Sequence, residues 1–261
     1  MIDLEQITEQ MKEIALQTGA FLENERKTFH REDVMEKHSH DYVSYVDKNA
    51  EKQIIEKLSA ILPEAGFIAE EGSAGYSDEE YCWVIDPLDG TTNFIHDNAP
   101  YCVSIALRNK QELLAGVVYE VCRKECFWAW KGSRAFLNGS PIHVSNVNAL
   151  NQSFIALGFP YNAEKYRPVT RKIIDRLYGY VGGLRLQGAA AAELCYIAAG
   201  RFDGRIESNL GPWDIAAGAL ILMQAGGKVT DFSGQDTFYS GHEVLASNGY
   251  IHQELLDILK D

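Results

Sequence analysis

The sequence predicts an α+β half followed by an α/β half, folded as one compact unit around a shared cleft. Two amphipathic helical patterns open the chain and short apolar runs separated by turn residues follow them. From about residue 150 the pattern changes, and apolar runs alternate with helical stretches. No internal repeat or low-complexity linker divides the chain, so residues 1–150 and 151–261 are expected to meet across a cleft rather than move independently.

In order along the first half, Leu4, Ile7, Met11, Ile14, Thr18 and Phe21 fall at helical spacing, and Ala50, Ile54, Leu58 and Ile61 do so again. The runs FIAEE, CWVID, YCVSIAL, LLAGVVYEV and ECFWAW read as a meandering sheet, with Asn138-Gly139 as a hairpin signal. Phe127, Trp128 and Trp130 alternate around Ala129, which suits a sheet or a subunit interface better than base stacking. In the second half, SFIAL, a helix near 165–179, LRLQ, the Ala-rich AAAAELCYIAAG helix, FDGRIES, the helix of WDIAAGALILMQAGG, KVTDF, EVLAS and a closing helix predict strands buried between helices.

With 261 residues, 46% hydrophobic and 23% charged, the chain can bury a sizeable core. Its first stretch, MIDLEQITEQMKEIAL, carries charge throughout and lacks the apolar core of a signal peptide. No run reaches the roughly 18 apolar residues of a membrane span, so a soluble, cytoplasmic protein with no membrane partner is expected. The five cysteines, Cys82, Cys102, Cys122, Cys126 and Cys195, read as reduced thiols, and Cys122 and Cys126 lack the second pair that a zinc site needs. His38 and His40 are placed on a solvated loop for the same want of further ligands. The net charge of −13 argues against a nucleic-acid partner, because that affinity comes largely from Lys and Arg neutralising phosphates.

The chemistry concentrates in Trp83–Phe94, WVIDPLDGTTNF. An apolar strand ends in Asp86, Pro87 is expected to stop it, and Asp89 follows three residues after the first carboxylate. Gly90, Thr91, Thr92 and Asn93 supply a turn whose free amides suit a phosphate. Hard divalent cations such as Mg2+ take carboxylate and carbonyl oxygens, and Leu88 can lend its carbonyl. Taken alone, the segment also reads as an ordinary turn. Two other carboxylates sit where apolar elements end: Glu70 after Phe67–Ala69, and Asp214 at the head of an apolar helix, where it could equally be a cap.

With D-x-V-S-x-x-D at Asp41–Asp47, A-E-E at Ala69–Glu71 and W-D-I-A-A-G at Trp213–Gly218 in the same order and spacing, the chain resembles the inositol monophosphatase family of lithium-sensitive sugar phosphatases. The resemblance implies a layered αβαβα sandwich and two or three Mg2+ ions. One ion would be held by Glu70, Asp86 and the Leu88 carbonyl, a second by Asp86, Asp89 and Asp214. It further implies that Glu70, Asp47 and Thr91 belong to the catalytic apparatus, Asp47 and Thr91 orienting and deprotonating water. The Gly90 and Thr91 amides would hold the phosphate, while Gly188, Ala189, Ala190, Glu207 and Asp214 would face the sugar. Ala189 stands where animal members usually carry a hydroxyl residue, and Ser44 where Thr is usual, so one polar sugar contact is lost and one hydroxyl is kept.

The expected activity is hydrolysis of myo-inositol 1-phosphate or a similar sugar monophosphate. Alternatives are a phosphatase for 3'-phosphoadenosine 5'-phosphate or fructose 1,6-bisphosphate, or a regulatory protein-binding role like that of some bacterial relatives. A homodimer is implied by the resemblance alone.

Overall fold

The computed structural model describes residues 2–30, 32, 34–38, 41–73, 79–160 and 163–260. Helix α1 (Leu4–Thr28) starts where the Asp3 side chain accepts the Gln6 amide, and buries Ile7, Met11, Ile14, Thr18 and Leu22 as one stripe. Helix α2 (Tyr45–Ile61) buries Ala50, Ile54 and Leu58. Between them lies a hairpin that the sequence reading lacks, β1 (Val34–His38) paired antiparallel with β2 (Asp41–Ser44). His38, expected on a loop, ends β1; His40 lies outside the described residues.

The first sheet contains β3 (Gly66–Ala69), β4 (Tyr81–Asp89), β5 (Cys102–Asn109), β6 (Leu113–Glu120), β7 (Glu125–Trp130), β8 (Ala135–Leu137) and β9 (Ser140–Ile142), adjacent in that order. Strand β3 runs parallel to β4, and the rest form the expected antiparallel meander. Asn138 and Gly139, with φ of 47° and 86°, make the predicted two-residue turn between β8 and β9. Pro87 does not stop β4. The strand continues to Asp89 through a register shift, pairing Asp86 with Ser104 and Asp89 with Cys102. A bulge accommodates a proline because the extra residue there has no ladder bond to make.

The second sheet is built from β10 (Phe154–Leu157), β11 (Gly183–Arg185), β12 (Gly204–Ser208), β13 (Lys228–Thr230) and β14 (Glu243–Ser247), in the spatial order β11-β10-β12-β14-β13. It is mixed: β10 is parallel to β11 and β12, while β14 is antiparallel to β12 and β13. Helices α3 (Thr91–Ile95), α4 (Ala163–Leu177), α5 (Ala190–Ala198), α6 (Pro212–Gln224), α7 (Phe238–Gly241) and α8 (His252–Leu259) complete the chain.

Period-two alternation along the strands sorts side chains into layers. Trp83, Ile85, Val103, Ile105 and Leu107 face α1 and α2, whereas Cys82, Val84, Cys102 and Ala106 face α5 and α6. The same α5 and α6 cluster takes in Ala156, Val244 and Ala246 of the second sheet, whose other face packs Ile155, Leu157, Ile206 and Leu245 against α4 and α8. The result is the αβαβα sandwich. Because α5 and α6 lie between two sheets, they are apolar on all sides rather than amphipathic. Close packing there needs small residues: a Cβ on Gly116 of β6 would come within 2.8 Å of the Ala217 carbonyl oxygen on α6. At the far layer, Lys172 donates to the Leu259 carbonyl and Arg176 to those of Ile258 and Lys260, so cations from α4 satisfy the free carbonyls that end α8.

None of the five cysteines is in a disulfide; four are buried and Cys122 is exposed. No helix among the described residues is long and apolar enough to cross a membrane.

Candidate functional site

A cleft of about 380 Å³ opens where the end of β4, the start of α5, strand β12 and the start of α6 converge. Asp86, Asp89 and Asp214 each bring a carboxylate oxygen to within 4.8 Å of the others. Local structure aims each one. Asp86 sits at the bulge and accepts the Leu88 amide at 2.9 Å. Asp89 accepts the Ala190 and Ala191 amides at 3.1 and 2.7 Å and lies 3.4 Å from the Cys102 thiol, so it also ties β4 to the first turn of α5. Asp214 accepts the Gly211 amide at 2.6 Å, the one half of a capping box that a glycine N-cap allows, Pro212 opening the helix. Its capping role and its place in the cluster therefore coexist. Glu70 follows β3, anchored by its amide to the Ile85 carbonyl, and lines the same cleft.

Among the described residues no Lys or Arg forms a salt bridge with Asp86, Asp89 or Asp214, and the electrostatics of the three record that. Burial, then the charges of Glu70, Asp89 and Asp214, hold Asp86 well above the usual carboxylate range. Burial, then Glu70 and Asp89, do the same to Asp214. Asp89 is pushed up to about 6 by burial, which its amide and thiol donors and Arg205 only partly offset. A donor set made of carboxylate and carbonyl oxygens with surplus negative charge fits a hard divalent cation such as Mg2+, and fits poorly the softer ions that take His or Cys.

Beside the acids, Gly90 takes a φ of 90° and opens α3. A side chain there would be strained, and its Cβ would sit 2.9 Å from the Pro100 carbonyl oxygen. Thr91 Oγ1 lies 3.1 Å from Asp47 Oδ1 and 3.0 Å from the Leu88 carbonyl oxygen. Asp47 is buried and does not line the cleft, reaching it only through Thr91. Its Oδ2 accepts the Ser44 amide and hydroxyl, which makes the α2 capping box, and burial raises its pKa. Gly188 and Ala190 line the cleft; Ala189 is buried beneath them and does not.

Across the cleft, Glu207 of β12 is joined by the same strand's Arg205, whose Nη2 donates to Glu207 Oε2. Arg205 Nε donates to Glu193 Oε2 at 2.6 Å, and Glu193 Oε1 accepts the Gln187 amide at 2.9 Å. Glu193 and Arg205, together with Glu51, are site residues that the sequence reading lacks. Glu51, fully buried on α2, accepts the Glu71 and Ser73 amides at 2.7 and 2.8 Å and so fixes the turn that carries Glu70. A usable signal existed for Glu193: it is a lone charge inside an otherwise apolar helical run, where charge survives only when paired.

The sequence model of the inositol monophosphatase family matches residues 3–261. The chain is 42% identical over 220 residues to a protein of Neisseria meningitidis serogroup B named putative Nus factor SuhB, covering 84% of both chains. It is 40% identical over 227 residues to Nus factor SuhB of Escherichia coli K12, covering 87% of this chain and 85% of the other. Among solved structures it resembles the extragenic suppressor protein SuhB of Bartonella henselae (TM-score 0.91, 36% identity, 98% and 99% coverage). It also resembles an inositol monophosphatase from Anabaena (TM-score 0.89, 33% identity, 99% and 96% coverage).

Proposed function

The chain belongs to the inositol monophosphatase family, and on that premise we propose that it is a Mg2+-dependent phosphomonoesterase that releases phosphate from a polyol monophosphate such as myo-inositol 1-phosphate. One observation carries the reading: three mutually repelling aspartates, Asp86 and Asp89 buried and Asp214 partly so, stand beside an amide-bearing turn in a cleft whose opposite wall presents Glu207. Asp86, Glu70 and the Leu88 carbonyl would hold one cation, and Asp86, Asp89 and Asp214 another. When bound, such cations neutralise phosphate charge, polarise the attacking water and stabilise the leaving oxygen.

The chain's own groups do the rest. The Gly90 and Thr91 amides bind the phosphate oxygens, where fixed donors are worth most once water is excluded. The attacking water hands its proton to Thr91 Oγ1 as the Thr91 proton passes to Asp47 Oδ1, the one Asp47 oxygen not occupied by Ser44. Burial that raises the Asp47 pKa makes it a better base than an exposed aspartate. Glu207 accepts a hydroxyl of the leaving alcohol.

A substrate with a second phosphate fits less well. Among the described residues lining the cleft, Arg205 is the one cation, and Glu193 and Glu207 already pair with it. Phosphate release at saturating Mg2+ from myo-inositol 1-phosphate, other sugar phosphates, fructose 1,6-bisphosphate and 3'-phosphoadenosine 5'-phosphate tests the proposal. A preference for either bisphosphate would reverse it. The bacterial relatives named as Nus factors favour a second reading, a regulatory protein-binding role, which a pull-down with the inactive Asp89→Asn chain would detect independently of turnover. A homodimer, and a cleft shared by residues 1–150 and 151–261 within one compact unit, remain part of the same proposal; light scattering of the purified chain tests the first.

A further inference from the structure

Strand β12 carries a charge that the proposed reaction does not use. Arg205 is 1% exposed, yet it lines the cleft, and its Nε and Nη2 are taken by Glu193 and Glu207 while Nη1 is buried with no protein partner. One guanidinium between two carboxylates, with a donor left over, is a poor device for stability, since an apolar trio of similar volume commonly does as well or better. Its geometric effect is definite. Glu207 Oε2 is tied to Arg205, and Arg205 is tied through Glu193 to the Gln187 amide next to Gly188. Glu207 Oε1 has no protein donor among the described residues.

A second residue, remote in sequence, serves the same carboxylate. Gly158 follows β10 in the cleft wall, and a Cβ built on it would fall 1.9 Å from the Glu207 carboxylate carbon and from Oε2. The space that Glu207 occupies therefore exists only because residue 158 has no side chain. Gly158 has no left-handed φ to explain its identity. Its amide bonds the Ile206 carbonyl at 3.1 Å, holding it against β12.

Resting on the polyol-phosphatase reading, we propose that Arg205, held by Glu193, is a positioning residue for leaving-group recognition: it occupies one Glu207 oxygen and presents the other to a single hydroxyl of an uncharged polyol, in the space that Gly158 leaves open. A carboxylate fixed in this way accepts a hydroxyl without first losing its own rotational freedom. Two carboxylates share the one guanidinium and leave the wall with net negative charge, so it selects hydroxyl donors and disfavours a leaving group that carries a carboxylate or a second phosphate.

The test uses the full chain at saturating Mg2+ with two esters, myo-inositol 1-phosphate and the hydroxyl-free p-nitrophenyl phosphate. Arg205→Gln should lower kcat/KM for the inositol ester by roughly 10–100-fold, the span of one charge-assisted hydrogen bond. Its loss on the nitrophenyl ester should be at least ten times smaller, and Arg205→Lys should restore part of the difference. Gly158→Ala should give the same substrate-dependent pattern with Arg205 intact. The three atoms nearest the new methyl all belong to the Glu207 carboxylate and none to backbone, so this variant carries the test if Arg205→Gln fails to fold. Equal losses on both esters, or no loss on the inositol ester, would overturn the proposal. Wild-type protein that cleaves the nitrophenyl ester but no polyol phosphate would instead overturn the reading of the substrate class, before any variant is considered.

Discussion

The two walls of the cleft solve the same electrostatic problem in opposite ways. On one side Asp86, Asp89 and Asp214 crowd together with no salt bridge to a cation among the described residues, and burial plus mutual repulsion hold Asp86 and Asp214 far above ordinary carboxylate values. On the other, Glu193 and Glu207 are also crowded, but Arg205 is built in between them. Burial still raises Glu193, and Arg205 opposes it. A wall that supplies its own counter-charge is finished when the chain folds. One that withholds it is finished only when a cation arrives, so unrelieved repulsion marks where a ligand acts and relieved repulsion marks where a side chain is being aimed.

The sharpest way to break this contrast is Asp89→Asn. It should cut turnover on the order of 10³-fold or more, the several kcal/mol expected of lost metal-borne charge stabilisation. It should also shrink the thermal shift that Mg2+ produces. Near-normal phosphate release at saturating Mg2+ would remove Asp89 from the metal wall. Next in size is Asp47→Asn, for which kcat should fall about 10²-fold, the lower end for general-base help because Thr91 intervenes. The same change disturbs the α2 capping box, for about 1–2 kcal/mol of stability. Reduced melting temperature with unchanged kcat would leave Asp47 a cap and nothing more.

Metal and pH together give a smaller effect that needs no turnover. Asp89 stands at about 6 and Asp86 and Asp214 are raised further. An unfolded aspartate titrates near 3.9, so the folded cluster binds more protons than the unfolded chain. Its favourable contribution is present at about pH 4 and is lost as pH rises through about 6. A cation replaces the lost protons, so differential scanning should find a larger Mg2+-induced rise in melting temperature at about pH 7.5 than at about pH 5.5. An equal rise at both would mean the acids do not repel as described. The smallest change expected is at the self-sufficient wall: Glu207→Gln should raise KM for the inositol ester by about 10-fold and leave the Mg2+ shift untouched. Loss of that shift would show that the two walls are one electrostatic unit.

These walls differed as much in the sequence. Asp86, Leu88, Asp89, Gly90 and Thr91 occupy one short segment, where strand, proline, glycine and acids can be read together, and Asp214 heads an obvious apolar helix. Glu193, Arg205 and Gly158 have no local pattern, because what each does is a contact with a residue on another element or another wall. The layers were legible through periodicity. The bulge at Pro87 was not, since a proline after an apolar run signals a strand end and only the partner strand β5 shows that pairing resumes at Asp89. The β1–β2 hairpin was missed too: its ten or so residues are mostly polar and charged, and give no alternation to read.

Asp89 ends β4 and at the same time receives the first two amides of α5, a hundred residues further along the chain. A residue placed this way makes competence a late event in the life of each molecule. A nascent or half-refolded chain holds Asp86 and Asp89 in one stretch but has neither the α5 amides to orient the second carboxylate nor Asp214 beside it. It thus has no pocket that could seize a divalent ion prematurely or attack phosphate esters indiscriminately. Turnover during refolding should accordingly appear with the docking of α5 and α6 onto the first sheet, later than recovery of helical signal, which would make the proposed activity a clock for the completion of the fold.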